Sequence, residues 1–192
     1  MTTNTDKIIV KQVKEGDIPA FSQLIERYQD MAFTLALSIV KNREEAEEVT
    51  QDSFMKAFKS IGSFQEKSSF SSWLYRIVYN TAISKQRLKK PVTTELDTKE
   101  VRAFEHQHAN ETPGKLETSE RKKILKQALA KLSEDEAYLI ILYYYKELSV
   151  DEIQKITGLT TSNIKVKLHR ARKQLHEQLS LLLHHEIHVL RY

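Results

Sequence analysis

Apolar residues recur along most of this chain at steps of three and four, the period of a helix packed on one side. Phe21, Leu24, Ile25, Tyr28, Met31, Ala32, Leu35 and Ile39 form one stripe and predict a helix from about Ile18 to Val40. Ala46, Val49, Ser53, Phe54, Ala57, Phe58 and Ile61 form a second, with Glu45, Glu48, Asp52 and Lys56 on the opposite face. A polar break from Gly62 to Ser69 precedes a third, carried by Phe70, Trp73 or Leu74, Ile77, Val78 and Ala82. It runs into Lys85, Arg87, Lys89 and Lys90, and cations suit a helix C-terminus. Residues 91–118 show no sustained period and are polar and acidic. So long a structureless stretch is unusual inside one compact domain, which predicts a linker between two. Beyond it, Ile124, Leu125, Ala128, Leu129 and Leu132 restart the helical stripe. Ser133 before Glu136 and Ser149 before Glu152 have the spacing of capping boxes. The first opens a helix through Ala137, Ile140, Ile141 and Tyr144, and the second opens a short one, Val150 to Thr157. Gly158 stands where a left-handed residue often closes a helix, and Thr160 or Thr161 can cap a last helix from about Ser162 to Leu182. The expected fold is all-α: two small helical domains, 1–90 and 119–192, joined by a flexible acidic linker, 91–118.

Composition narrows what such a chain can do. The absence of Cys excludes disulfides, Cys-ligated metal and thiol catalysis, and it fits a reducing cytoplasm. Four Gly and three Pro argue against a Gly-rich β-barrel or a phosphate-loop α/β fold. No apolar run approaches the ~18 residues of a membrane span, and the polar start, Met1 to Asp6, lacks the apolar core of a signal peptide. The net charge of +4 says little until it is resolved along the chain. Residues 1–60 carry −2, 61–90 carry +5, 91–118 carry −3 and 119–192 carry +4. Two basic patches separated by an acidic segment predict two nucleic-acid contacts joined by a spacer.

The second patch has a layout to match. A short helix, a turn at Thr157-Gly158-Leu159 and a longer capped helix read as helix-turn-helix. In the longer helix Ile164, Leu168, Ala171 and Leu175 share one side. Ser162, Val166, His169, Arg170 and Lys173 point away from it, Lys165 and Arg172 flank one edge, and Asn163 and Lys167 flank the other. A recognition helix needs an apolar docking face, short polar residues near its start and flanking bases for phosphate.

Several segments also carry a family resemblance. Gly16-Asp17 with Ala20-Phe21, then EEAEEVTQDSF at 44–54, then SSFSSWLYRIVYN at 68–80 resemble the N-terminal domain of extracytoplasmic-function (ECF) sigma factors, the smallest class of the sigma-70 family. The segment ELSVDEIQKITGLTTSNIKVKLHRARKQL, 147–175, resembles that family's promoter-reading helix-turn-helix. The resemblance implies two partners, core RNA polymerase (the clamp of its largest subunit and the flap of its second) and promoter DNA. Glu45, Glu48, Gln51 and Asp52 would dock on the clamp. Phe64, Gln65, Lys67, Ser68, Arg76 and Asn80 would read the −10 element as single strand, with Phe64 an aromatic wall, Gln65 and Ser68 for base edges and Lys67 and Arg76 for phosphate. Lys165, Val166, His169 and Arg170, with Ser162, Asn163, Lys167 and Lys173 nearby, would read the −35 element as duplex. Ser162-Asn163 and Val166-Lys167 replace the frequent Gly-Thr and Ser-Arg, so no −35 consensus carries over. The family also implies an anti-sigma factor, often membrane-anchored, which would hold this cytoplasmic protein at the inner face of the membrane.

Other clusters are weaker. His184 and His188 have metal-binding spacing with His185 beside them, but no third-ligand constellation is near, and the tail reads as a continuation of the last helix. Trp73 reads as packing, while Tyr75 and Tyr79 read equally as base-stacking or as surface cover. Of Tyr143, Tyr144 and Tyr145, one is expected in the core and another over the turn. No nucleophile–base set, paired-carboxylate site or phosphate loop stands out, so neither enzyme activity, cofactor, metal nor small-molecule substrate is expected. The rival reading is a stand-alone helix-turn-helix regulator, which accounts for 119–192 but not for the Trp73–Asn80 motif.

Overall fold

The computed structural model describes residues 4–89 and 116–189, with side chains over 5–88 and 123–182. The described residues form helices and no strand. The N-terminal half consists of α1 (Asn4–Lys14), α2 (Phe21–Val40), α3 (Arg43–Ser60) and α4 (Phe70–Lys89). The C-terminal half consists of α5 (Leu116–Ala130), α6 (Glu134–Ile140), α7 (Val150–Thr157) and α8 (Thr161–Val189). Nearly all of the expected linker lies outside the described residues, as do the side chains of His184, His185 and His188. Residues 116–118, assigned to that linker by composition, open α5.

Local chemistry sets the helix ends. The two-residue link at Lys41 and Asn42 makes α2 and α3 neighbours. Lys41 closes α2 in the left-handed region at φ 53°, and the Asn42 side chain caps α3 by accepting the Glu45 N–H at 3.0 Å. In α3 the buried Thr50 and Ser53 hydroxyls each donate to the carbonyl four residues back at 2.6 Å, so neither costs an unpaired polar group.

Helix α1 is an element that the apolar stripes of the sequence did not anticipate. Ile9, Val10 and Val13 bury its inner face. Asp6, 1% exposed, pairs with Arg27 and accepts from the Tyr28 hydroxyl at 2.6 Å, so α1 is bolted to α2 by a buried carboxylate with satisfied partners. Burial and that carboxylate hold the Tyr28 phenol protonated far above its ordinary range.

The two halves share one core. Buried side chains run continuously from α1–α4 into α6, α7 and α8. Tyr138 is the largest fully buried side chain at the junction. Its hydroxyl donates to the Tyr75 carbonyl at 2.9 Å and its ring lies 5.0 Å from that of Tyr79. Lys41 crosses the same junction, donating to the carbonyls of Leu132 at 2.7 Å and Ala130 at 3.3 Å at the end of α5. Desolvation there lowers its ammonium pKa.

After α6 the helix widens into one π-turn, Ile141–Tyr145, closed by the Lys146 N–H on the Ile141 carbonyl at 3.1 Å. The wider turn shifts the helical register of its own residues. Tyr143, Tyr144 and Tyr145 all emerge exposed, at 37%, 51% and 73%, contrary to the expectation that one would enter the core. Tyr138, a turn earlier, takes that place.

Candidate nucleic-acid interface

The helix-turn-helix is built by two caps and a turn. Ser149 and Glu152 form a reciprocal box. The Ser149 N–H and hydroxyl donate to the Glu152 carboxylate at 2.9 and 2.8 Å, and the Glu152 N–H donates back to the Ser149 hydroxyl at 3.3 Å. These bonds lower the Glu152 pKa from its ordinary 4.5. Gly158 ends α7 at φ 74°, a conformation that costs glycine nothing. Thr160 then caps α8 by accepting the Asn163 N–H at 3.3 Å. Ile164, Leu168 and Ala171 are buried and Leu175 packs beside them, so the docking face is the one read from periodicity. Ser162, Asn163, Lys165, Val166, His169, Arg170 and Lys173 are all exposed on the other side. Lys167 is not among them. It is half-buried and bonded to Asp135 at 2.9 Å, so it braces α8 against α6.

The second surface is the loop 64–69 with α4. Ser69 caps α4 through the Ser72 N–H at 3.0 Å. Gln65 and Lys67 are exposed and Ser68 is half-exposed. Arg76 and Asn80, one turn apart on α4, are exposed on the same face. Phe64 is only 6% exposed. Its ring lies 4.9 Å from Trp73 and 6.1 Å from Phe70, so it supports the loop from beneath rather than presenting a wall to solvent. Trp73 packs within the domain, as its spacing predicts. Tyr75 and Tyr79 do not face outward for stacking. Tyr75 is buried against Tyr28, and Tyr79 is half-buried against Tyr138, its phenol pushed up to about 12 by burial and by Asp135.

The third surface is the polar face of α3. Gln51 and Asp52 are exposed and Glu45 is half-exposed. Glu48 pairs with Lys85 of α4, and its side chain stays 62% exposed. Among the described residues no group of three His, Asp or Glu could hold a metal ion, and no helix is long and apolar enough to cross a membrane.

A family profile for Sigma-70 region 2 matches residues 24–91, and one for Sigma-70 region 4 matches residues 122–175. Together they take in more than half of the chain. The ECF RNA polymerase sigma factor SigW of Bacillus subtilis is 32% identical over 88% of this chain and 94% of its own length. The chain is an ECF sigma factor of the sigma-70 family. The RNA polymerase sigma-H factor of Pseudomonas aeruginosa is 29% identical to it over 95% of this chain and 98% of that protein. Among solved structures, the sigma factor RpoE of Bartonella quintana, in complex with the anti-sigma factor NepR, aligns with TM-score 0.62 and 26% identity, covering 85% of this chain and 98% of that one. The loop 64–69 and α4 of this sigma factor fall in region 2, and its helix-turn-helix falls in region 4. Helix α1 precedes the matched residues. A helix over 4–14 was legible in retrospect, from Ile9, Val10 and Val13 at helical spacing behind Asp6 in the first turn.

Proposed function

We propose that this sigma factor binds core RNA polymerase through the polar face of α3, with Glu45, Glu48, Gln51 and Asp52 as its polar contacts, and directs initiation at promoters with two readers. The loop 64–69 with Arg76 and Asn80 takes the −10 element as single strand. Gln65 and Ser68 meet base edges and Lys67 and Arg76 meet phosphate. The exposed face of α8 takes the −35 element as duplex. Lys165, Val166, His169 and Arg170 approach base edges with Ser162 and Asn163 nearby, and Lys173 neutralises phosphate. The chain itself performs no catalysis; the polymerase supplies it. The protein works in the cytoplasm, and an anti-sigma factor restrains it, a reading supported by the solved relative's complex with one.

One observation carries this reading. Two outward surfaces lie on one chain: a recognition helix with its apolar side buried, and a polar loop leading into a helix that exposes Arg76 and Asn80. A stand-alone regulator has use for the first only. The test mixes the purified protein with core polymerase and a promoter library and maps transcript starts. The expected result is initiation that depends on this protein at a shared pair of elements. No stimulated start on any template, or a footprint that needs no polymerase, overturns the reading.

A further inference from the structure

We propose that Lys14, on α1, is a positioning residue for the single-strand reader, an inference that rests on the proposed −10 role of the loop 64–69. Lys14 lies ahead of the residues that match region 2. Its ammonium donates to the Phe64 carbonyl at 2.7 Å, stands 3.8 Å from the Glu66 carboxylate and lies 5.7 Å over the Phe64 ring. All three contacts fall on the loop that carries Gln65, Lys67 and Ser68, and Phe64 and Glu66 are the residues on either side of Gln65.

The loop needs such a hold. Glu66 sits in the left-handed region at φ 57°, a conformation unfavourable for a residue with a Cβ. Its neighbours Gln65 and Lys67 are exposed and gain nothing from packing. The aromatic stack on Trp73 and Phe70 fixes the Phe64 ring, and Lys14 fixes its carbonyl, which orients the peptide plane leading into Gln65. The arm that delivers Lys14 is itself rigid, because Asp6, Ile9, Val10 and Val13 bury α1 against the domain. A loop set in advance spares an incoming strand the cost of ordering it. Lys14 is already engaged by Phe64 and Glu66, so its part is to shape the reader rather than to neutralise phosphate.

The experiment uses holoenzyme made from the full chain and core polymerase. Its probes are labelled single-stranded oligonucleotides carrying the −10 sequence from the promoter library, and copies with one base changed at each position. Lys14→Met keeps the stem over Phe64 and removes the N–H donors. Its affinity for the matched strand is expected to fall about ten-fold, the scale of one charged hydrogen bond. The preference for matched over changed strands should shrink by the same factor. Affinity for core polymerase and for −35 duplex should stay as in the wild type, and Lys14→Arg, which can donate to the same carbonyl, should restore the preference. An equal loss on every strand makes Lys14 a phosphate contact and overturns the inference, as does an unchanged preference. A wild-type holoenzyme that shows no preference between strands overturns the −10 reading itself, and the role of Lys14 with it.

Discussion

Glu152 carries a pH dependence into the helix that leads to the promoter reader. Its carboxylate accepts from both the N–H and the hydroxyl of Ser149, which holds its folded-state pKa below the ordinary 4.5. A depressed carboxylate contributes stability that is present above the unfolded-state pKa and is lost as pH falls through the folded one. Ser149→Ala is expected to cost about 1 kcal/mol at neutral pH, the usual worth of such a cap. The gap between wild type and variant should narrow below about pH 4.5, where Glu152 protonates. Urea unfolding at a series of pH values checks both. Capping boxes were legible in the sequence because both partners lie within four residues of each other, and Gly158 was legible for the same reason. Contacts of Lys14, Tyr138 and Lys167 were not. Each joins residues far apart in the chain, and nothing local distinguishes a lysine that clamps a carbonyl from one that faces water.

At the scale of elements, α8 behaves as its period predicts, since an apolar stripe at steps of four and three can bury only one way. Arg170 is exposed on the opposite face, where a guanidinium can make a two-pronged contact to a base. Arg170→Ala is expected to lower −35-dependent initiation by about five-fold to a hundred-fold, the worth of roughly 1–3 kcal/mol for such a contact. Core binding should be unaffected. Run-off transcription on templates with and without the −35 element measures the first, and competition for core polymerase measures the second. Periodicity failed at the three tyrosines for a definite reason. A helix template assumes 3.6 residues per turn, and the π-turn over Ile141–Tyr145 inserts extra backbone that no side chain in the run announces. It also passed over α1, whose apolar positions are few and whose buried acid, Asp6, looks like a solvated one until Arg27 and Tyr28 are seen beside it.

On the scale of the whole molecule, the arrangement of the two helical blocks had no signal in the sequence. They meet over Tyr138, whose ring fills the junction and whose hydroxyl would cost about 1–3 kcal/mol if it were buried without its partner on Tyr75. A shared core predicts that both halves melt in one calorimetric transition. Tyr138→Ala removes a side chain of a size whose loss typically costs about 3–5 kcal/mol and should split that transition in two. Two transitions in the wild type would show that the halves are energetically separate. Lys41 bears on the same junction from an unexpected direction. One residue both turns the chain between α2 and α3 in a conformation that glycine adopts more readily and reaches across to the end of α5. Those two duties ask for different amino acids. A glycine there would relax the N-terminal half and release its neighbour, so this position is where the comfort of one half and the cohesion of the whole are set against each other.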